Sequence, residues 1–457
     1  MTTFTNYDPA TGEAIAEISI TPSAELGRLV SLAREAQPAW AQLSLDARGE
    51  MLRAGAAALG ERTEELANAV TREMGKCIAD ARREASSWVT HTAEVIEEVA
   101  EAIAPQDLPG ASTVTTLERH PLGVVAAITP WNFPVGMPLS ILIPALATGN
   151  TVVFKPSELV PETGAIIAEC FASALPDGVL NLVQGDGEVG AALVASDVDM
   201  IGFVGSLATG QKIMKAAGDG LKRLILELGG KDPLIVFDDA DLEDAAECAV
   251  RHSLRNTGQV CCSVERVYVA ESIAEEFERL VVSKASDWNH GSGFDEGSKM
   301  GPMVSAEQRG KVAKQVDQAV AAGARLLLGG KADPNAGYFY PATVLGSVEQ
   351  SADITREETF GPVVALTTFD NSEAQAVQFA NDTAYGLGAS VYTKDLEKGM
   401  RVARQVQSGQ VGVNQYLGGA KGSPWVGARQ SGFGFLGGIE GHRQFTVPKT
   451  ISYPKAK

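Results

Sequence analysis

The sequence is poor in the side chains from which metal centres and disulfide frameworks are built. Of its 457 residues, five are cysteine (77, 170, 248, 261 and 262) and five are histidine (91, 120, 252, 290 and 442). The cysteines follow no framework spacing and no H-E-x-x-H occurs. Free thiols in a reducing compartment are therefore expected, with no metal. Basic charge is also in deficit, 38 Lys+Arg against 57 Asp+Glu, for a net charge of −19. Nucleic acid and anionic membrane both require a basic surface, so neither is expected as a partner, although a small basic pocket for an anion is compatible with this balance. Long apolar runs are missing. Residues 141–147 are interrupted by Pro144 and are far too short to span a bilayer. The opening MTTFTNYDPATGEAIAE has neither a basic n-region nor an apolar h-region, so no secretory signal is expected and the expected location is cytoplasmic. No G-x-S-x-G occurs, which leaves a serine-hydrolase elbow without support.

What is present is an ordinary globular composition, 45% hydrophobic and 21% charged, long enough for two to three domains. Residues 24–104 read as helical: Leu52, Leu59 and Leu66 recur every seventh residue, and Leu66, Val70 and Met74 every fourth. Stretches 113–117 and 124–129 are rich in Thr and Val and read as strands. From residue 150, strand-like runs 151–154, 179–183, 200–204 and 223–228 alternate with helical segments 162–175, 187–195 and 207–217. A second series places strands at 234–237, 264–269, 363–369, 389–392 and 411–413, with helices at 241–255, 272–285, 372–381 and 395–407. Alternation of this kind specifies parallel, doubly wound sheets, with a ligand crevice at the carboxyl ends of the strands. The glycine-rich stretch 427–441 and a last strand at 446–453 belong to neither series.

Several turns could carry chemistry. Gly185-Asp-Gly187-Glu-Val-Gly190 is a literal G-x-G-x-x-G opening a helix, but the acidic residue expected at the end of the next strand is replaced by Gly205-Ser206. Gly205-Ser-Leu-Ala-Thr-Gly210 is close to a phosphate loop, yet Gln211-Lys212 stands where an NTPase has Lys-Ser/Thr. It is either an anion-binding helix start or a tight turn. Lys155-Pro-Ser157-Glu158 ends a strand, where Glu could accept from ribose hydroxyls and Lys donate to them; a solvated ion pair is the alternative. Gly258-Gln-Val-Cys261-Cys262 lies between a helix and a strand. It presents either a reactive thiol, which needs a field favouring thiolate, or two small buried apolar groups. Glu227-Leu228-Gly-Gly-Lys231 offers a general base, or an ion pair with Lys231 or a nearby arginine. Trp131-Asn132-Phe-Pro could aim an amide at an oxyanion, or simply turn the chain.

Taken in order, Trp131-Asn-Phe-Pro, Lys155-Pro-Ser-Glu158, Gly205-Ser-x-x-x-Gly210, Glu227-Leu-Gly-Gly-Lys, Gly258-Gln-x-Cys261, Glu358-Thr-Phe360-Gly-Pro and Gly422-Ser-Pro-Trp strongly resemble the aldehyde dehydrogenase family, from about residue 5 to 455. The resemblance implies two Rossmann-like α/β domains and a small β arm for oligomerisation. It assigns 1–111 and 130–230 to NAD binding, 231–440 to catalysis, and 112–129 with 441–457 to the arm. Cys261 would be the nucleophile, Glu227 the general base, and Asn132 with the Cys261 amide the oxyanion hole. Thr129, Trp131, Lys155, Ser157, Glu158, Gly185, Gly187, Gly205, Ser206, Leu228, Glu358 and Phe360 would contact the dinucleotide. Gly185 and Gly187 would lie beside the adenine and Gly205 and Ser206 at the pyrophosphate. Glu158 implies NAD over NADP, since a 2′-phosphate would face its carboxylate. A homodimer or homotetramer and a small aldehyde substrate are implied. Succinate-semialdehyde dehydrogenases are similar at Arg255-Asn-Thr-Gly-Gln but carry a second arginine where this chain has Ser140. A thioesterase or esterase using Cys261 and Glu227 without redox chemistry is the alternative from another class.

Overall fold

A computed structural model of the chain describes residues 2–334 and 337–455. It contains two large sheets and two small ones besides a two-residue ribbon. The helical region at the start resolves into four helices, Ser23–Gln42, Leu45–Glu61, Thr63–Met74 and Ile78–Ile103. Each break has a local cause. The Ser44 side chain accepts from the Ala47 amide and starts the second helix, and Gly75, at φ 82°, ends the third in the left-handed region that glycine tolerates.

The first large sheet has six strands in the order Gly432–Phe433, Arg223–Glu227, Met200–Val204, Val124–Ile128, Thr151–Lys155 and Leu180–Leu182. All neighbours are parallel except the Gly432–Phe433 edge. Chain order runs outward from Val124–Ile128 in both directions, which puts a topological switch point between it and Met200–Val204. Every residue of Val124–Ile128 is buried, as a central strand covered on both faces requires. Residues 124–128 were expected in the arm and are instead the middle of this sheet; their unbroken apolar run fits a strand with two covered faces, not an exposed ribbon. Gly432–Phe433, expected with the catalytic unit 231–440, also joins this sheet.

The second large sheet has seven strands, ordered Arg325–Leu328, Thr343–Gly346, Val363–Phe369, Val264–Ala270, Asp232–Val236, Gly388–Tyr392 and Gln410–Val413. Only the first pair is antiparallel. Thr446–Pro454, Thr113–Pro121 and Gln106–Leu108 form a three-stranded antiparallel arm, its longest ladder running from Thr446 opposite Pro121 to Pro454 opposite Thr113. Positions 1, 335, 336, 456 and 457 of the expected segments lie outside the described residues. Among the described residues no helix is long and apolar enough to cross a membrane.

Candidate active site

The carboxyl ends of the central strands meet the edge of the second unit around a cavity of about 540 Å³. Its wall includes Trp131, Asn132, Gly205, Ser206, Glu227, Leu228, Cys261, Glu358 and Phe360. Nine residues separated by up to 229 positions in sequence are thus brought to one place.

The thiol turn is built under strain. Asn256, Thr257 and Gly258 all have positive φ, at 52°, 58° and 69°. The first two side chains are not glycine, and such conformations cost of the order of 1–3 kcal/mol each. The surroundings hold them. Thr257 Oγ1 donates to the Gly301 carbonyl at 3.0 Å, and the buried Gln259 accepts from the Val304 amide at 2.9 Å. A Cβ on Gly258 would lie 2.0 Å from the Gly361 carbonyl oxygen, so only glycine lets this turn pack on the Glu358 loop. On the far side, Tyr416 Oη donates to the Cys262 carbonyl at 2.5 Å, stacks on His252 at 3.5 Å, and accepts from Arg255 at 3.3 Å.

The two thiols differ. Both line the cavity, but Cys261 is half-buried whereas Cys262 is buried against Val260 and Leu387. The resting field does not favour a thiolate on Cys261. Its hydrogen bond toward Cys262, its burial and the nearby Glu227 all raise it well above the ordinary thiol range. The same hydrogen bond, with Arg255, lowers Cys262. The Cys261 sulfur therefore rests protonated and needs an acceptor for its proton before it can attack.

A carboxyl group that could take it, Glu227, is a close neighbour of this thiol. It ends the strand Arg223–Glu227 and is only 4% exposed, and burial pushes its carboxyl up to about 8. Trp425 Nε1 donates to Oε1 at 2.9 Å, while Oε2 has no hydrogen-bond partner among the described residues. The expected alternative, an ion pair between Glu227 and Lys231, does not form: Lys231 is held by Glu265 at 2.5 Å. The two glycines that follow are spaces for approach. A Cβ on Gly229 would meet Glu358 Oε1 at 2.5 Å, and one on Gly230 the Cys261 carbonyl at 2.4 Å.

Asn132 stands at the other wall. Its Nδ2 donates one hydrogen to the Gln259 carbonyl at 3.1 Å, which fixes the amide beside the thiol turn and leaves the second hydrogen. The helix that follows, Gly136–Ala147, is capped by Glu84, which accepts from the Val135 and Gly136 amides at 3.0 and 2.9 Å. Glu84 is itself paired with the buried Lys76.

A second group of predicted residues lies outside this cavity, at the ends of neighbouring strands of the same sheet. Lys155 ends Thr151–Lys155, is buried, and has Nζ 3.8 Å from Glu158; Ser157 sits between them and is half-buried. Burial lowers the Lys155 amine. Thr129 Oγ1 is buried without a hydrogen-bond partner among the described residues. At the glycine turn, Asp186 caps the helix Gly187–Ala195 from within the sequence, Gly185 has φ 150°, and Gly187 faces open space. Gly205 and Ser206, in the cavity wall, adjoin this group at the switch point, and Ser206 caps the helix Leu207–Ala217.

These features fit a dinucleotide. A buried amine beside a carboxylate, a buried hydroxyl without a partner among the described residues, the helix start after Gly205 and an open glycine lie at the ends of neighbouring strands of one sheet. At the cavity end, the loop bearing Glu358 and Phe360 is pinned by the buried Glu265, which accepts from the Thr359 and Phe360 amides at 2.8 and 2.9 Å. Phe360 is held at φ 53° with its ring edge-on to Trp131 at 5.5 Å. Glu358 accepts from the Gly230 amide at 3.2 Å and is pushed up to about 7 by burial and Glu265.

Sequence reading missed the roles of Trp425, Glu265 and Lys311. Lys311 lines the cavity from the helix Ala306–Ala321, which was not anticipated. The apolar spacing of Val312, Val316 and Ala319 was the available signal. Glu265 lies within a strand that reads as plain β sequence, so nothing local marks it.

Comparison with known proteins agrees with this geometry. Residues 1–451 match the model of the aldehyde dehydrogenase family. Betaine aldehyde dehydrogenase from Staphylococcus aureus, solved with NAD+, is 35% identical over 99% of this chain and 91% of its own, with a TM-score of 0.92. Lactaldehyde dehydrogenase from Escherichia coli is 34% identical over 99% and 96%, with a TM-score of 0.96. An NADP-dependent enzyme of Escherichia coli is 34% identical over 99% and 95%, with a TM-score of 0.94. The chain belongs to the aldehyde dehydrogenase family.

Proposed function

We propose that this protein oxidises an aldehyde to the carboxylic acid with NAD as the acceptor, through a thioester on Cys261. The observation that carries the reading is the convergence of Cys261, Glu227 and Asn132 on one cavity reached from the switch point of the first sheet. Lys155, Ser157 and Glu158 would hold the adenosine ribose, with Thr129, Gly185 and Gly187 alongside. Gly205 and Ser206 would hold the pyrophosphate, and Glu358, Phe360, Leu228 and Trp131 the nicotinamide end. Bound NAD supplies the hydride acceptor.

The protein's own part is proton and charge management. Glu227, with its raised affinity for a proton, takes the proton of the Cys261 thiol as sulfur adds to the aldehyde carbon. The free Asn132 hydrogen and the Cys261 amide stabilise the oxyanion that forms. After hydride loss Cys261 carries a thioester. Glu227 passes the thiol proton to solvent and then takes a proton from water; hydroxide adds to the thioester carbon, and as that adduct collapses the departing thiolate regains the proton from Glu227 and the acid is released.

Apolar walls, including Trp88, Met137, Val260 and Leu436, suit a substrate with a hydrocarbon body. A specific observation favours a second reading, an aldehyde bearing a carboxylate. Arg255 lines the cavity and its Nε has no partner among the described residues. Ser140, also in the wall, supplies no second cation. For assembly, the arm leaves Leu108, Val447, Ile451 and Tyr453 exposed, which supports a homodimer or homotetramer built through it. The test is NADH absorbance with a panel of aldehydes with and without a terminal carboxylate. Turnover with at least one supports the reading; none across the panel, with ester hydrolysis retained, would favour a thiol esterase.

A further inference from the structure

Trp425 reaches the base by way of the base's own backbone. The strand Trp425–Val426 pairs with Phe435–Leu436. Between them, Gly432 and Phe433 pair with Glu227 and Leu226 at the edge of the first sheet. The Leu228 amide donates to the Ser431 carbonyl at 2.9 Å. One loop therefore fixes the Glu227 main chain and delivers an indole to its side chain. Gly409 and Gly427 lie where Cβ atoms would strike the Val426 and Ser431 carbonyls at 1.8 and 2.3 Å, so the loop is seated without room to shift.

The indole is the side chain hydrogen-bonded to the Glu227 carboxylate, at 2.9 Å on Oε1. Oε2 has no hydrogen-bond partner among the described residues, and the Cys261 thiol interacts with the same carboxyl group. A carboxylate in a buried wall has little else to choose its rotamer. A donor on one oxygen restrains the orientation of the carboxylate in the cavity wall and favours the charged form.

We propose that Trp425 is a positioning residue that holds the Glu227 carboxylate aimed at the Cys261 acyl group during deacylation. This rests on Glu227 acting as the base.

The test uses p-nitrophenyl acetate and the whole protein without cofactor, so that acylation gives a nitrophenolate burst and steady turnover reports deacylation. Trp425→Phe keeps the ring and loses the donor. Trp425→Gln loses the ring but places an N–H the same number of bonds from Cα. For Trp425→Phe the expected results are a retained burst, turnover at neutral pH down about tenfold, and the acid limb of turnover moved up by about one pH unit. Trp425→Gln should bring the limb back toward wild type. An unmoved limb in Trp425→Phe overturns the proposal, as does a Trp425→Gln variant, folded by thermal melt, that is as impaired as Trp425→Phe. Glu227→Gln separates the two ideas. If it deacylates normally the base assignment itself fails; if it stalls while Trp425→Phe does not, only the positioning role fails.

Discussion

Replacing Glu227 by Gln keeps the side-chain shape and an oxygen for the Trp425 N–H, but removes the proton acceptor. Both steps that use this acceptor should slow, and by different amounts. A thiol, with an ordinary pKa of about 8.5, is intrinsically a far stronger acid than bulk water, with a pKa of about 15.7, so acylation depends less on the base than deacylation does. Deacylation should therefore fall by roughly 10²–10⁴ and acylation by less. With the carboxyl near 8, only about one part in ten is ionised at neutral pH, so wild-type turnover should climb severalfold toward pH 9 and that rise should vanish in the variant. Rapid mixing of enzyme, NAD and aldehyde gives the assay: a burst of NADH followed by a near-stalled steady state. A steady state within about twofold of wild type would refute the reasoning. The same group has a stability signature. The folded carboxyl keeps its proton up to about 8, while an unfolded glutamate loses it near 4.5. The folded state therefore binds more protons in that window, and stability falls as pH rises through it. Glu227→Gln removes this term, so its melting temperature should exceed wild type at about pH 9 and match it at about pH 5.

Cys261→Ser should abolish oxidation while NAD binding, read by fluorescence, persists; Cys262→Ala should keep activity within about tenfold, because that sulfur, although in the cavity wall, is buried against Val260 and Leu387. Gly258→Ala should destabilise by more than about 3 kcal/mol in a denaturation titration, since the new methyl would strike the Gly361 carbonyl and φ is 69°. Glu158→Ala should shift the ratio of kcat/KM values toward NADP by about ten- to a hundredfold by removing the charge opposed to a 2′-phosphate; an unchanged ratio would place that carboxylate away from the ribose.

The alternating α/β units were legible because strands buried on both faces read as short apolar runs, and Val363–Phe369 and Gly388–Tyr392 stand within a residue of their expected ends. Residues 124–128 were given to the wrong unit because β propensity reports that a segment is a strand, not which strand it pairs with. Cys261, Glu227 and Asn132 were recognisable from their motifs. The ionisation of Cys261 was not, because it is set by Cys262 and Glu227 through a contact between two sheets. Trp425 was visible within its motif yet silent in role, since its partner lies 198 residues away. Glu265 was silent for the same reason, acting on Thr359 and Phe360 across 94 and 95 residues.

The central claim is that the acyl group is carried by the sulfur of Cys261. Acid-quenching the Glu227→Gln variant during turnover with NAD and an aldehyde, then locating the added mass by fragmentation of the peptide holding both adjacent cysteines, tests it directly. The acyl mass on Cys261 is the predicted result. Its appearance on Cys262, or turnover without any adduct, would contradict the account.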